Sequence, residues 1–271
     1  MSGPQFRRVT VSPGVSLPYV DQGADGGVAV LLIHGLGDSF RSYERVLAHL
    51  PGDVRVLAPS LRGHGDADRP QQDYSPGAHV RDMNALLQHA GVADAVVGGH
   101  SSGSQVAQLF ALTYPQHTRA LILIGAPGPH PDAAAAAGRD AEIAALTDPI
   151  DEAWLRAFAE STVAAPVPPM FLDTIVAESR KVPARVYQAA WPGIRDFDVS
   201  SDLHRITQPT LIVWGDHDGV PVATRTDQDE LAHAIPNARL LIYRGAGHSP
   251  HWEQPERFAA DLVTFVADLS F

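Results

Sequence analysis

Six short runs of apolar residues recur along this 271-residue chain, and their repetition restricts the fold more than any other feature. They are VAVLLIHG (28–35), VRVLAPS (54–60), AVVGGHS (95–101), ALILIGA (120–126), TLIVWGD (210–216) and ARLLIYRG (238–245). Their apolar residues are continuous, as in strands of a parallel sheet that are buried on both faces. Segments with helical spacing lie between several of the runs, so the sequence predicts an α/β fold.

The segments that flank these runs support the same fold. SYERVLAHL, HVRDMNALLQHAG and SQVAQLFALTYP follow the first three runs with helical spacing, and PERFAADLVTFVADL closes the chain with an apolar stripe. The opening FRRVTVSPGVSLPYVDQG is expected to form an edge hairpin that turns at residues 12–14.

Residues 129–205 carry no strand-like run and predict a helical insertion between the fourth and fifth of these six strands. The chain therefore divides into a first core segment (1–128), a helical cap (129–205) and a second core segment (206–271). The aromatic residues of the insertion have two interpretations. They form a core of their own, or some of them face a ligand at the carboxyl ends of the strands, where open α/β sheets bind ligands. Trp154 and Trp191 are the candidates for substrate contact.

The pattern Gly99-His100-Ser101-Ser102-Gly103 lies between a predicted strand and a predicted helix. In that setting G-x-S-x-G indicates a strained turn that projects the central serine hydroxyl outward. Only Ser101 has glycine two residues away on both sides, where a Cβ would collide with the neighbouring strand and helix. Ser101 is therefore the predicted nucleophile.

A serine nucleophile needs a base, and the base needs an orienting acid. His248 lies in a glycine-bounded loop after the last strand run, and His251, next to Trp252, is its competitor. In TLIVWGDHDGVPV the spacing after Trp214-Gly215 favours Asp218 as the acid, with Asp216 as the alternative.

When the nucleophile attacks a carbonyl group, negative charge develops on its oxygen, and backbone N–H groups are needed to stabilise that charge. Ser102 opens the helix after the nucleophile, where its N–H is aided by the helix dipole. The glycine-rich turn after the first strand run places the N–H of Leu36 as a second donor. Phe40 and Val220 are further candidates for the substrate pocket.

Composition excludes several classes of protein. The chain is 45% hydrophobic with a net charge of −11 and no apolar run of membrane-spanning length, so neither disorder, a nucleic-acid partner nor a membrane span is expected. It has no cysteine, and its first residues lack the apolar core of a signal peptide. We expect a cytoplasmic monomer or homodimer with a small-molecule substrate and no cofactor. The 13 histidines show no metal-ligand spacing, so no metal is expected.

Taken together, the HG turn at 34–37, LRGHGDADRP, GHSSG, WGDHD and GAGHSPHWEQPE resemble the α/β-hydrolase superfamily over essentially the whole chain. The resemblance implies a triad of Ser101, Asp218 and His248, an oxyanion hole from the amides of Leu36 and Ser102, and a helical cap. Dehalogenases and epoxide hydrolases of this superfamily use aspartate at the nucleophile position, so Ser101 disfavours both activities.

Acyl chemistry on a small, fairly apolar ester or lactone is the leading hypothesis. Thioester hydrolysis, carbon–carbon bond hydrolysis of the meta-cleavage type and a cofactor-free perhydrolase reaction are the enzymatic alternatives. A ligand-responsive signalling protein that retains the triad is the alternative from another class.

Overall fold

A computed structural model describes residues 4–128 and 133–269, and it describes the side chains of 4–128 and 137–269. Residues 129–132, where we expected the insertion to begin, lie outside the described residues.

Eight strands of the described residues form one sheet, and the predicted α/β hydrolase fold is confirmed. The strands are β1 Gln5–Ser12, β2 Val15–Gln22, β3 Val28–Ile33, β4 Val54–Pro59, β5 Ala95–His100, β6 Thr118–Ile124, β7 Thr210–Gly215 and β8 Ala238–Tyr243. Their order across the sheet is β1-β2-β4-β3-β5-β6-β7-β8. The β1–β2 hairpin is antiparallel and its β2 pairs antiparallel with β4, whereas β3 to β8 are parallel with one another. The carboxyl ends of the parallel strands therefore meet at one edge.

Ten α-helices are assigned in the described residues. They are α1 Glu44–Leu47, α2 Pro76–His89, α3 Ser102–Thr113, α4 Ala133–Ala144, α5 Glu152–Glu160, α6 Pro169–Ser179, α7 Ala184–Arg195, α8 Arg225–Ala234, α9 Pro250–Glu253 and α10 Pro255–Asp268. Three short 3-10 helices cover Phe40–Tyr43, Pro115–His117 and Ser200–Arg205. The segment expected to be one helix at 42–50 is instead the first of these 3-10 turns followed by the single turn of α1.

Both faces of the sheet are covered, as the continuous apolar runs require. Leu31 and Ile33 face the layer that holds Phe110 of α3. Val30 and Leu32 face the opposite layer, built mainly from α1 and α10. Successive residues of β3 thus enter two separate cores, because side chains alternate across a strand.

The helices α4 to α7 are inserted between β6 and β7, and we refer to them as the inserted helices. They have a small core of their own that includes Ile143, Leu155 and Tyr187. A second cluster packs Phe171 of α6 against Trp252 of α9. The insertion is therefore tied to the loop that carries His248, which the backbone bond from Ser249 N–H to Thr162 C=O also shows (2.8 Å). Over the ranges that the structure describes, no helix is long and apolar enough to cross a membrane.

Candidate active site

Ser101 lies at the sharp turn between β5 and α3. Its backbone adopts φ +53° and ψ −123°, a conformation that non-glycine residues seldom take. The two flanking glycines permit this turn. A Cβ on Gly99 would overlap the backbone of Gly103, and a Cβ on Gly103 would overlap the carbonyl of Ile33 in β3. The two glycines allow the neighbouring backbones to approach closely. The strained backbone of Ser101 then directs its side chain beyond the sheet edge.

His248 and Asp218 meet at the same sheet edge, although 30 residues separate them in the chain. Asp218 follows β7 and His248 follows β8. The Nδ1 of His248 lies 2.8 Å from Oδ2 of Asp218, and the two side chains are 3% and 0% exposed. A carboxylate only accepts, so Nδ1 donates and Nε2 is left as the acceptor. The imidazole is thereby held in the tautomer that a general base requires.

A cavity of about 310 Å³ lies between the sheet edge and the inserted helices, and Ser101 and His248 both line it. The hydroxyl of Ser101 makes no hydrogen bond with any residue in the described part of the chain. Leu36 and Ser102 also line the cavity. Neither of their N–H groups donates to a backbone carbonyl among the described residues, and the first N–H groups of a helix have no partner inside it. The cavity therefore brings a hydroxyl, an imidazole and two available amides together.

The four candidates for substrate contact separate into two pairs. Trp191 and Val220 line the cavity. Phe40 and Trp154 do not. Phe40 packs against the guanidinium of Arg41 and faces a surface groove elsewhere, while Trp154 stacks on Phe158 (5.3 Å between ring centroids) in the core of the inserted helices. Trp191 thus packs on that core and also lines the cavity, whereas Trp154 packs on the core without lining the cavity.

The competitor for the base, His251, does not line the cavity, and the competitor for the acid, Asp216, bonds elsewhere than to His248 in the described residues. His251 is fully buried beside His100, with ring centroids 4.6 Å apart, and its Nε2 lies 3.3 Å from Oγ of Ser42. Burial lowers the pKa of His251 well below its usual range. Asp216 accepts a hydrogen bond from the N–H of Gly245 (2.6 Å) and so braces the turn after β8.

Two buried polar residues of the cavity wall were not predicted as site residues. Asp38 directly follows the HG turn (34–37), and its Oδ2 lies 3.8 Å from Nδ1 of His100. Burial raises the pKa of Asp38 and lowers that of His100, and each group partly opposes the shift of the other. The Nε2 of His100 donates to the backbone carbonyl of His248 (3.1 Å), so His100 supports the loop that carries the base. Its position immediately before Ser101 was the available signal.

Charged side chains from the inserted helices also reach the cavity, which no motif in the sequence indicated. Arg139 lies 2.8 Å from Glu142, and both line the cavity. Arg195 pairs with Asp140 (3.1 Å) and Asp196 (2.7 Å). These arginines belong to helices whose orientation the sequence did not determine, so their approach to the site was not predictable.

Within the described ranges, no group of three or more His, Cys, Asp or Glu side chains could hold a metal ion. Several histidine rings lie close together behind Ser101. In His34 both ring nitrogens are already hydrogen-bonded to the backbone, so neither is available to a metal. The Nδ1 of His34 donates to Gly35 C=O (2.8 Å) and its Nε2 accepts from Leu61 N–H (2.9 Å).

The sequence and the fold are both similar to those of known proteins. The chain matches the Alpha/beta hydrolase family over residues 30–261. It is 31% identical to an uncharacterized protein of Mycobacterium tuberculosis over 266 residues, which cover 90% of this chain and 76% of that protein. It is similar to the crystal structure of an esterase, RhEst1, from Rhodococcus sp. ECU1013 (25% identity, TM-score 0.84, 98% and 99% of the two chains). It is also similar to Est816, described as an N-acyl homoserine lactone degrading enzyme (26% identity, TM-score 0.80, 96% and 100%).

The chain belongs to the alpha/beta hydrolase family, and it is a hydrolase.

Proposed function

We propose that this protein hydrolyses small, fairly apolar carboxylic esters or lactones through an acyl-enzyme on Ser101. One observation carries the proposal. The strained serine turn and His248 line one cavity, and Asp218 holds His248 from behind across 2.8 Å, so that three different loops of the sheet edge meet at the site. A serine, a base and an orienting acid in this order are the components of acyl transfer.

The geometry supports the following steps. Nε2 of His248 takes the proton of the Ser101 hydroxyl as Oγ attacks the substrate carbonyl carbon. The amides of Leu36 and Ser102 stabilise the oxyanion of the tetrahedral intermediate. The imidazolium then gives its proton to the leaving alkoxide, and the acyl group remains on Oγ. A water molecule, deprotonated in turn by His248, attacks the acyl carbon; the bond from that carbon to Oγ breaks, the acid leaves and the imidazolium returns the proton to Oγ. With a lactone both fragments stay in one molecule.

The cavity wall favours an uncharged substrate. Both arginines that line it, Arg139 and Arg195, are already paired with acidic side chains. A substrate carboxylate would have to compete with Glu142 for Arg139. This supports an ester or lactone rather than the carboxylate-bearing substrates of carbon–carbon bond hydrolases. The similarity to an esterase and to a lactone-degrading enzyme gives no preference between the two.

The remaining expectations belong to the same proposal. The protein acts in the cytoplasm, as a monomer or homodimer, on a small molecule and without a cofactor. The inserted helices α4 to α7 serve as the cap of the site, and their aromatic and apolar side chains select the acyl group.

The test is steady-state hydrolysis of p-nitrophenyl esters of increasing chain length and of simple γ- and δ-lactones. Wild type is compared with Ser101→Ala and with Ser161→Ala, whose hydroxyl also lines the cavity but donates to Phe158 C=O (2.7 Å). We expect repeated turnover that falls by about 10⁴ or more in Ser101→Ala, as in other triad enzymes, and persists in Ser161→Ala. Turnover that survives in Ser101→Ala would refute the mechanism. A single turnover with retained product would favour the signalling alternative.

A further inference from the structure

A second, much smaller cavity lies beside the HG turn (34–37). Its volume is about 20 Å³, and it shares Gly35, Leu36 and Ser102 with the wall of the large cavity. His64, from the loop after β4, and His79, from α2, line only the smaller cavity, whereas Gln105, from α3, lines both. We refer to the smaller space as the side chamber.

Three polar atoms of these side chains are buried and lack a hydrogen-bond partner within the described part of the chain. They are His64 Nε2, His79 Nδ1 and Gln105 Oε1. A buried polar atom without a partner costs about 1–3 kcal/mol, and native proteins contain few of them. Three such atoms around one small space indicate a shared partner.

The hydrogen-bonding character of each atom follows from its other contacts. Nδ1 of His64 lies 3.0 Å from the carbonyl of Arg62, which only accepts, so Nδ1 carries the hydrogen and Nε2 is an acceptor. Burial lowers the pKa of His64 to about 4, so the ring is neutral at pH 7. The side-chain amide of Gln105 donates through Nε2 to the carbonyl of Ile194 (3.0 Å), which leaves Oε1 as a second acceptor.

In the tautomer that carries its hydrogen on Nδ1, His79 supplies the donor that completes the set. No hydrogen bond to another described residue fixes its tautomer, so Nδ1 is free to carry the ring hydrogen. Burial lowers its pKa to about 3, which excludes the doubly protonated ring at neutral pH. Two acceptors and one donor match a molecule that offers two hydrogens and a lone pair.

We propose that the side chamber is a binding site for one ordered water molecule, which donates to His64 Nε2 and Gln105 Oε1 and accepts from His79 Nδ1. The volume suits this ligand, since a cavity needs about 10–15 Å³ to hold one water, and a buried water makes about three hydrogen bonds. Ammonium offers no lone pair for the N–H of His79, and a carbonyl oxygen offers no hydrogen for the two acceptors.

The water joins elements that are distant in the chain. It connects the loop after β4, α2 and α3, and Gln105 extends the connection to α7 through Ile194. Leu36, whose amide we place in the oxyanion hole, lies on the chamber wall. The site therefore lies beside the HG turn (34–37) and links its surroundings to the inserted helices. It does not depend on the substrate proposed above.

A crystal structure of the full chain at about 1.5 Å or better tests the proposal directly. We expect a single density peak within hydrogen-bond distance (about 2.7–3.2 Å) of all three atoms. A chamber without density, in a map that shows other buried waters, would overturn the proposal. Rotated rings that bond one another, or a peak with the short bonds and anomalous signal of a metal ion, would overturn it equally.

Unfolding experiments give a second test that does not require crystals. His79→Leu and Gln105→Met are measured singly and together, against the matched pair His79→Leu and Gln108→Met. Gln108 lies on the same helix and is also buried, but it does not line the chamber. If one water links His79 and Gln105, the Tm loss of their double variant is smaller than the sum of the two single losses, because the first change already releases the water. In the control pair, the Tm loss of the double variant equals the sum of the two single losses. Additive losses in both pairs would contradict a shared water.

Discussion

The Nδ1 of His248 donates to Oδ2 of Asp218 across 2.8 Å, and neither side chain is appreciably exposed to solvent. Asparagine in place of Asp218 would keep the shape but could present an N–H, which favours the other imidazole tautomer and removes the acceptor at Nε2. For Asp218→Asn we expect kcat to fall by roughly 10⁴ with little change in KM. Kinetics on the best p-nitrophenyl ester measures this, and an unchanged far-UV circular dichroism spectrum shows that the variant is folded. Activity within tenfold of wild type would remove Asp218 from the triad.

Gly99 permits the serine turn only because it has no Cβ. An alanine there would overlap the backbone of Gly103 at the start of α3. We expect Gly99→Ala to lower the free energy of unfolding by roughly 3 kcal/mol or more, the upper range for overpacking. Urea unfolding measures this against Gly138→Ala, where nothing lies within 4 Å of the added Cβ and alanine is favoured in α4 by about 1 kcal/mol. The two changes should have opposite signs, and equal effects would contradict the steric explanation.

Arg62 and Asp82 form a buried bidentate pair, with two N–O distances of 2.7 Å. Asp82→Asn would leave the guanidinium buried without its countercharge, at a cost of about 3–5 kcal/mol. The same substitution in an exposed pair, Asp229→Asn beside Arg225, should change the free energy of unfolding very little. Chemical unfolding of both variants tests the contrast. A small loss in Asp82→Asn would mean that the pair contributes no more than a surface one.

Buried histidines make stability fall on acidification. Burial lowers the pKa of His64 to about 4 and of His79 to about 3, from 6.5 in the unfolded chain. Burial also lowers the pKa of three other buried histidines, His34, His100 and His251. Between pH 6.5 and 4 the unfolded chain therefore binds protons that the folded chain does not, and stability is lost as the pH falls through this window.

The size of that loss can be measured by urea unfolding between pH 8 and 5. Each such histidine contributes a slope of up to about 1.4 kcal/mol per pH unit below its unfolded pKa. Three carboxyls whose pKa is raised by burial act in the opposite direction, and they are the buried Asp38 and Asp82 and the half-buried Glu253. Because five histidines destabilise the fold on acidification and only three carboxyls oppose this, we expect a net loss of stability below pH 6.5. Stability that is flat or rises from pH 6.5 to 5 would contradict this prediction.

Trp191 and Trp154 provide a matched test of the cavity wall. Trp191→Ala enlarges the cavity, so we expect the ratio of kcat/KM for long over short acyl esters to rise by about tenfold. Trp154→Ala removes a ring that stacks on Phe158 and meets Tyr187 edge-on, and we expect a lower Tm with the chain-length preference unchanged. A shift of preference in Trp154→Ala alone would reverse these assignments.

Much of the fold was predictable because burial and backbone geometry leave local marks. The runs that became β3 to β8 are continuous in Val, Ile and Leu since both faces of a parallel sheet are covered. Gly99 and Gly103 stand on either side of Ser101 because two backbones approach there, and that requirement is written in consecutive residues. The boundaries of α1 were less predictable, since its short apolar pattern does not distinguish a 3-10 turn from an α-helix.

What the sequence by itself determined, then, is the α/β fold and the serine at its turn, because each depends on residues close together in the chain. Only the tertiary structure decided that His248, rather than His251 three residues later, lies on the cavity, and that Trp191 lines it while Trp154 packs away from it. It also brought Asp38, Arg139 and Arg195 to the wall, and His64, His79 and Gln105 to the side chamber. These placements depend on how helices from separate segments rotate and pack over the sheet edge, and packing between distant segments leaves no periodic signal in the chain.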